Sequence, residues 1–218
     1  MTMQNINSKL YVGILVPISI IVPISLSIFK FRKFPKELKI ITYYLFFNAF
    51  SNFITSSLSN NGISTMPFAH LYTIVEFGFI CYFYKELYFS DNNIVSRAIP
   101  AIFFAFLAIC ILNVLFLQDL HHFNSYTKPI EGIIVVGFAI RYLLQLVNDF
   151  DKKINKNIEL IYINSVFLLY FSGTFVLFTI FNIFFTHRQI AFAILDVHAT
   201  LLLLMYVLFT IALWKFKR

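Results

Sequence analysis

Polar and ionisable side chains interrupt several strongly apolar stretches of this sequence. Glu76 follows Tyr72 by four residues, and Glu131, Asp196 and His198 lie in two later apolar stretches. Inside a membrane such side chains are costly, so each is by default a candidate functional group. A buried carboxylate needs a cation, hydrogen-bond donors or a proton. The sequence therefore predicts a site that binds a small ligand, a cation or a proton.

The elements that must position these residues are seven apolar stretches of roughly 20 residues, the length that crosses about 30 Å of hydrocarbon. Hydrophobic residues make up 60% of the chain and charged residues 12%. In hydrocarbon every backbone polar group must be paired within the protein, so the stretches are predicted to be helices. The predicted spans are Leu10–Phe29, Ile40–Leu58, Pro67–Leu87, Ile99–Leu117, Pro129–Val147, Ile158–Phe185 and Ile190–Trp214.

The connections between these spans are short, which leaves no room for a separate soluble domain. We therefore expect an all-α fold, an integral membrane bundle of seven transmembrane helices, with residues 1–218 forming a single transmembrane helical domain. Cys81 and Cys110 both lie in apolar spans, where cysteine behaves as a small hydrophobic residue.

The basic residues predict the orientation. If the spans alternate, thirteen of the seventeen Lys and Arg residues fall on one side, and positively charged loops stay cytoplasmic. The N-terminus is then outside and the C-terminus cytoplasmic. We expect the basic side to contact membrane lipids with anionic headgroups rather than nucleic acid. The thirteen residues are Lys30, Arg32, Lys33, Lys36, Lys39, Lys85, Arg97, Lys152, Lys153, Lys156, Lys215, Lys217 and Arg218.

This orientation places most of the buried polar residues in the outer half of the bundle. At about 100° per residue, Tyr72 and Glu76 share one helix face. Asp196 and His198 point in nearly opposite directions, so we expect only one of them to face a common cavity. The candidate ligand-binding residues are Asn52, Tyr72, Glu76, Glu131, Asp196 and His198, and the secondary candidates are His70, Asn113, Asn182 and Arg141.

Glu76 has no Lys or Arg at its own depth according to this arrangement. Desolvation disfavours an ionised carboxylate, so we expect Glu76 to face the bundle interior and to hold a proton near neutral pH. Arg141, by contrast, is placed where its side chain can extend towards the cytoplasm.

No cofactor or metal is predicted. Metal ligands on one helix prefer a spacing of three or four residues, and no HxxxH or HExxH pattern occurs in the sequence. The seventh span contains no lysine before Lys215, which excludes a retinal Schiff base within it.

The string His70-Leu71-Tyr72-Thr73-Ile74-Val75-Glu76-Phe77 resembles segments of small uncharacterised seven-helix bacterial inner-membrane proteins. The resemblance covers one helix. It implies a location in the bacterial inner (plasma) membrane and supplies no activity.

The leading functional hypothesis is a small-ligand-binding or sensory membrane module, with a polar cavity in the outer half and a membrane or cytoplasmic protein partner. The alternative is a secondary transporter that uses Glu76 as a proton or cation site. A third hypothesis is an intramembrane lipid-modifying enzyme. The sequence favours a non-enzyme, because it offers no recognisable nucleophile or metal set.

Overall fold

Long helices make up the part of the chain described by a computed structural model, which covers residues 10–89, 94–122, 124–148, 158–184 and 188–216. The side chains of 89, 182–184, 188, 189, 191 and 192 lie outside this description. The helices are α1 (Tyr11–Lys33), α2 (Lys36–Asn60), α3 (Met66–Phe89), α4 (Ile94–Leu117), α5 (Thr127–Asn148), α6 (Ile158–Phe184) and α7 (Arg188–Lys215).

The all-α prediction is confirmed, and six of the seven predicted spans are supported. All helices except α2 are both long and apolar enough to cross a membrane, which is consistent with an integral membrane protein. α2 contains the span predicted at Ile40–Leu58 but is not apolar enough to count with the others. The reason is its composition, since Ser, Thr, Asn and Tyr recur along its 25 residues.

The outer surfaces of the six apolar helices carry large hydrophobic side chains. Ile18 on α1 is 55% exposed, Phe104 on α4 is 64% exposed and Trp214 on α7 is 69% exposed. A soluble monomer rarely exposes so many large hydrophobic side chains, whereas a bilayer favours them.

Two helices depart from regular α geometry. α1 begins with a π-helical turn at Tyr11–Leu15 and ends in a 3₁₀ turn at Phe31–Lys33. α4 ends in a π-helical turn at Asn113–Leu117. Single π turns inside helices often accompany functional sites, and the second of these turns leads into the connection beside the candidate site.

The chain divides into two compact units, Lys30–Glu131 and Met1–Phe29 with Gly132–Arg218. In the Lys30–Glu131 unit, Phe77 of α3 packs against Phe106 of α4 with ring centroids 4.3 Å apart. Lys36 at the start of α2 pairs with Glu86 near the end of α3 at 2.9 Å. The prediction of a single domain stays a prediction.

The link between α2 and α3 depends on Gly62. Its φ of 70° lies in the left-handed region, which glycine enters without the steric cost that a Cβ would bring. Ile63 N–H then donates to the Leu58 carbonyl at 2.9 Å. This bond ends α2 and lets α3 start within a few residues.

In the other unit, α6 and α7 pack closely. A Cβ built on Gly173 of α6 would come within 2.6 Å of Leu201 of α7, so the absence of a side chain permits this approach. Phe167 of α6 and Phe209 of α7 meet edge to face at 5.7 Å. Asn164 of α6 donates to the Ala139 carbonyl of α5 at 3.1 Å.

Candidate functional site

Two buried carboxyl groups belong to the Lys30–Glu131 unit. Glu76 of α3 and Glu131 of α5 both have 0% exposed surface. Tyr44 of α2 and Tyr72 of α3 each place a hydroxyl 2.9 Å from Glu76 Oε1. The prediction that Glu76 faces the interior is therefore confirmed, and Tyr44 provides a polar contact from a second helix.

Lys128 lies between the two carboxyl groups. Its Nζ donates to Glu76 Oε2 and, at 2.7 Å, to Glu131 Oε2. The same Nζ lies 5.3 Å from the centre of the Tyr72 ring, within the range of a cation–π interaction. Lys128 and Glu131 reach each other because residues three apart lie on one side of a helix.

The expectation that no Lys or Arg lies near Glu76 is wrong, because Lys128 pairs with it. The sequence assigns Lys128 to the connection before the fifth span, yet its long side chain extends into the interior. Only 10% of that side chain is exposed. Tyr44 was also missed, although it lies four residues before Asn48 and hence on the same face of α2.

Tyr72 connects Glu76 with Asn48. The Tyr72 hydroxyl lies 2.6 Å from Asn48 Oδ1 and 2.9 Å from Glu76 Oε1. Asn48 Nδ2 donates to the Tyr44 carbonyl at 2.9 Å, which fixes the orientation of the amide. A phenol has one proton to donate, so Glu76 and Asn48 compete for it.

The formal charges within this cluster balance only if one carboxyl group holds a proton. With both ionised, two carboxylates and one ammonium would leave a net charge of −1 among groups that are almost completely removed from solvent. Glu131 Oε1 is buried and has no hydrogen-bond partner among the described residues. An acceptor in this position can take up a proton or a further N–H donor.

The connection before α5 is tied to α3 by polar contacts. Asn124 Nδ2 donates to Thr73 Oγ1 at 3.0 Å, and His70 Nε2 lies 3.1 Å from the His122 carbonyl. These contacts hold the segment that leads directly into Lys128. His70 of α3, a secondary candidate, therefore contacts this connection, and no contact with the carboxyl cluster is seen among the described residues.

Asn113 and Asn52 lie in the same unit. Asn113 is 2% exposed and donates to Gln118 Oε1 at 3.4 Å, so it also contacts the connection. Asn52 is half-buried on α2, one turn beyond Asn48. Its Nδ2 is buried and has no hydrogen-bond partner within the described part of the chain.

The remaining candidates belong to the other unit. His198 lies 3.3 Å from the Tyr170 hydroxyl through Nε2 and packs against Phe178. Asp196 is half-buried, and Arg141 is exposed. Asn182 lies in α6 with its side chain outside the described part. A shared site for Asp196 or His198 and Glu76 stays a prediction.

The arrangement offers hydrogen-bonding and proton-exchange chemistry. Across the described ranges, no group of three or more His, Cys, Asp or Glu side chains is arranged to hold a metal ion. Comparison with protein-family models, curated proteins and solved structures finds no match.

Proposed function

We propose that the protein is a secondary transporter of small solutes that couples transport to a proton bound by the cluster of Glu76, Lys128 and Glu131. The observation that carries this proposal is that two fully buried carboxyl groups share one ammonium group. We therefore prefer the secondary transporter, which was the alternative hypothesis from the sequence, to the sensory module. The proposed proton site includes Glu131 as well as Glu76.

The physical argument rests on charge. An isolated net charge inside a membrane protein is costly, and a proton on either carboxyl group makes the cluster neutral. The cluster loses this neutrality when the proton leaves, unless a cation arrives. Proton release and cation arrival therefore favour each other, which is the linkage that coupled transport needs.

Among the described residues, the groups that contact the proton site come from three helices. Tyr44 of α2 and Tyr72 of α3 hydrogen-bond to Glu76, and Lys128 of α5 pairs with both carboxyl groups. Cys81 of α3 and Cys110 of α4 are buried thiols of the same unit. Lys128 favours the ionised form of either carboxyl group, and burial favours the neutral form.

The location in a bacterial inner membrane, with the N-terminus outside, belongs to the same proposal. It is supported by the basic residues around α1, α2 and the C-terminal end, and by the six apolar helices. With this orientation the cluster lies in the outer half of the bundle.

A small-ligand-binding or sensory module is the second candidate. It is favoured by Asn52, whose buried Nδ2 has no hydrogen-bond partner within the described ranges. This amide group can donate to a ligand without any proton movement.

The two candidates are separated by proton movement. Purified protein is reconstituted into vesicles that contain a pH-sensitive dye and is exposed to a panel of small amines, amino acids, organic acids and sugars. A transporter moves protons when its solute is added, and Glu131→Gln abolishes this movement. Solute binding without proton movement would favour the sensory module and overturn the transporter.

Infrared spectra test the proton site directly. We expect a protonated carboxyl band at neutral pH that is absent from Glu76→Gln or from Glu131→Gln. If neither substitution removes such a band at any pH at which the protein stays folded, the cluster holds no proton and the proposed coupling is wrong.

A further inference from the structure

We infer that Lys128 occupies an ammonium-binding pocket, and that the pocket takes a small primary amine as its ligand when Lys128 withdraws. This inference rests on the proposed function, because it assigns the class of solute that the transporter carries.

The pocket has the chemistry that recognises an ammonium group. Lys128 Nζ donates to Glu76 Oε2 and lies 2.7 Å from Glu131 Oε2, so two carboxylates provide acceptors and opposite charge. The Tyr72 ring, at 5.3 Å, provides an aromatic face. Carboxylates combined with an aromatic face distinguish an ammonium group from an anion or a neutral solute.

The pocket also has an acceptor that Lys128 leaves unused. Glu131 is 0% exposed, and its Oε1 has no hydrogen-bond partner within the described chain. An alkylammonium ion carries three N–H donors. A free ligand, not tethered to the backbone of α5, can adjust its position to satisfy this oxygen as well.

Exchange of Lys128 for an amine replaces one ammonium group with another, so the ligand brings no additional positive charge into the pocket. Its further N–H donor to Glu131 Oε1 favours the ionised form of this carboxyl group, so amine entry favours release of the proton. A neutral solute would leave the two carboxylates without compensation, and an anion would add to their repulsion. A primary amine is therefore the class of ligand that the exchange favours.

Lys128 is placed to withdraw. It is the second residue of α5 and follows Tyr126, which is 50% exposed. The two carboxyl groups are fully buried, whereas Lys128 retains 10% exposure and Tyr72 is half-buried. A flexible four-carbon side chain at the edge of the cluster can carry its charge outward.

The experiment uses Lys128→Ala, which removes three methylene groups and the ammonium group. The deleted part has the size of n-propylammonium, so this ion is the probe. We expect it to raise the thermal unfolding midpoint of Lys128→Ala by about 3–6 °C at ten times its dissociation constant. Tetramethylammonium at equal ionic strength has no N–H donors and should produce no comparable rise.

Two matched variants locate the effect. Lys128→Met fills the space of the side chain without the charge, so propylammonium should stabilise it much less than Lys128→Ala. The double variant Lys128→Ala with Glu131→Gln should also lose the stabilisation, because half of the acceptor charge is gone. Equal responses to propylammonium and tetramethylammonium in Lys128→Ala would overturn the inference.

Lys128→Ser provides the same comparison if Lys128→Ala does not fold, since serine leaves nearly the same space open to the amine. We expect propylammonium to stabilise it more than tetramethylammonium, and equal effects would again contradict the inference. If the amine has no specific effect while wild-type vesicles still show solute-dependent proton movement, the amine class is wrong and the transporter stands. Absence of the protonated carboxyl band from the wild-type protein would contradict the transporter proposal itself.

Discussion

At the scale of single residues, Lys128 determines whether the two buried carboxyl groups are compensated. We expect Lys128→Met to lower the free energy of unfolding by about 3–5 kcal/mol, the usual cost of breaking a buried ion pair. Lys36→Met removes a lysine that is 60% exposed in its pair with Glu86, and should cost under about 1 kcal/mol. Unfolding in mixed micelles, followed by circular dichroism, gives both values.

The pH dependence of the Lys128→Met defect provides its own check. The penalty arises from ionised carboxylates without a counter-ion, so it should be large at neutral pH. It should decrease as the pH falls and the carboxyl groups become neutral. A defect that is constant over the whole folded range would mean that Lys128 stabilises the protein by packing alone.

Tyr44 tests the hydrogen bonding of Glu76. Its ring is buried with 1% exposure, so Tyr44→Phe keeps the packing and removes one donor. We expect a loss of about 1–2 kcal/mol in the free energy of unfolding. The neighbouring Tyr43 is 54% exposed, and Tyr43→Phe in the same unfolding assay should change it by less than about 0.5 kcal/mol.

Residue spacing predicted part of this site. Tyr72 and Glu76 are four apart, so their shared face and inward direction follow from helix geometry. Lys128 could not be found by counting charges along the chain, because a lysine side chain is long enough to place its charge far from its Cα. The spacing of Lys128 and Glu131 is the signal that could have revealed it.

At the scale of helices, two glycines of α5 offer a matched pair. A Cβ on Gly132 would lie 3.2 Å from the backbone carbonyl of Phe171 and 3.1 Å from Phe175 Cβ, whereas one on Gly137 meets nothing within 4 Å. Gly137→Ala should stabilise α5 by about 0.5–1 kcal/mol. Gly132→Ala should destabilise the protein, since backbone cannot move aside easily, and thermal unfolding of the two variants would measure the difference.

The helices themselves were predicted well where the apolar run is unbroken, since length and hydropathy alone require a helix in hydrocarbon. α2 illustrates the limit of that argument. Its Tyr44 and Asn48 contact Glu76 and Tyr72 of α3. Polar residues that make such contacts lower the mean hydropathy of the helix, and mean hydropathy is the property by which a membrane span is recognised. The π turn at Asn113–Leu117 has no sequence pattern that would have predicted it.

At the scale of the whole molecule, the orientation and the crossing of α2 can be tested together. In a background lacking Cys81 and Cys110, single cysteines are placed at two exposed positions, Asn60 at the end of α2 and Lys33 three residues before α2 begins. We expect a membrane-impermeant thiol reagent added outside intact cells to label Asn60→Cys and not Lys33→Cys. Labelling of both would mean that α2 does not cross, and the reverse pattern would invert the orientation.

The modest apolar character of α2 has a consequence for biogenesis. A segment with several Asn, Ser and Thr residues partitions poorly from the translocation channel into lipid when it is alone. The short turn at Gly62 lets α3 follow at once, and the hydroxyl groups of Tyr44 and Tyr72 then meet on Glu76. We therefore expect α2 to enter the bilayer with α3 as a helical hairpin, so that the cluster is assembled during insertion rather than after it.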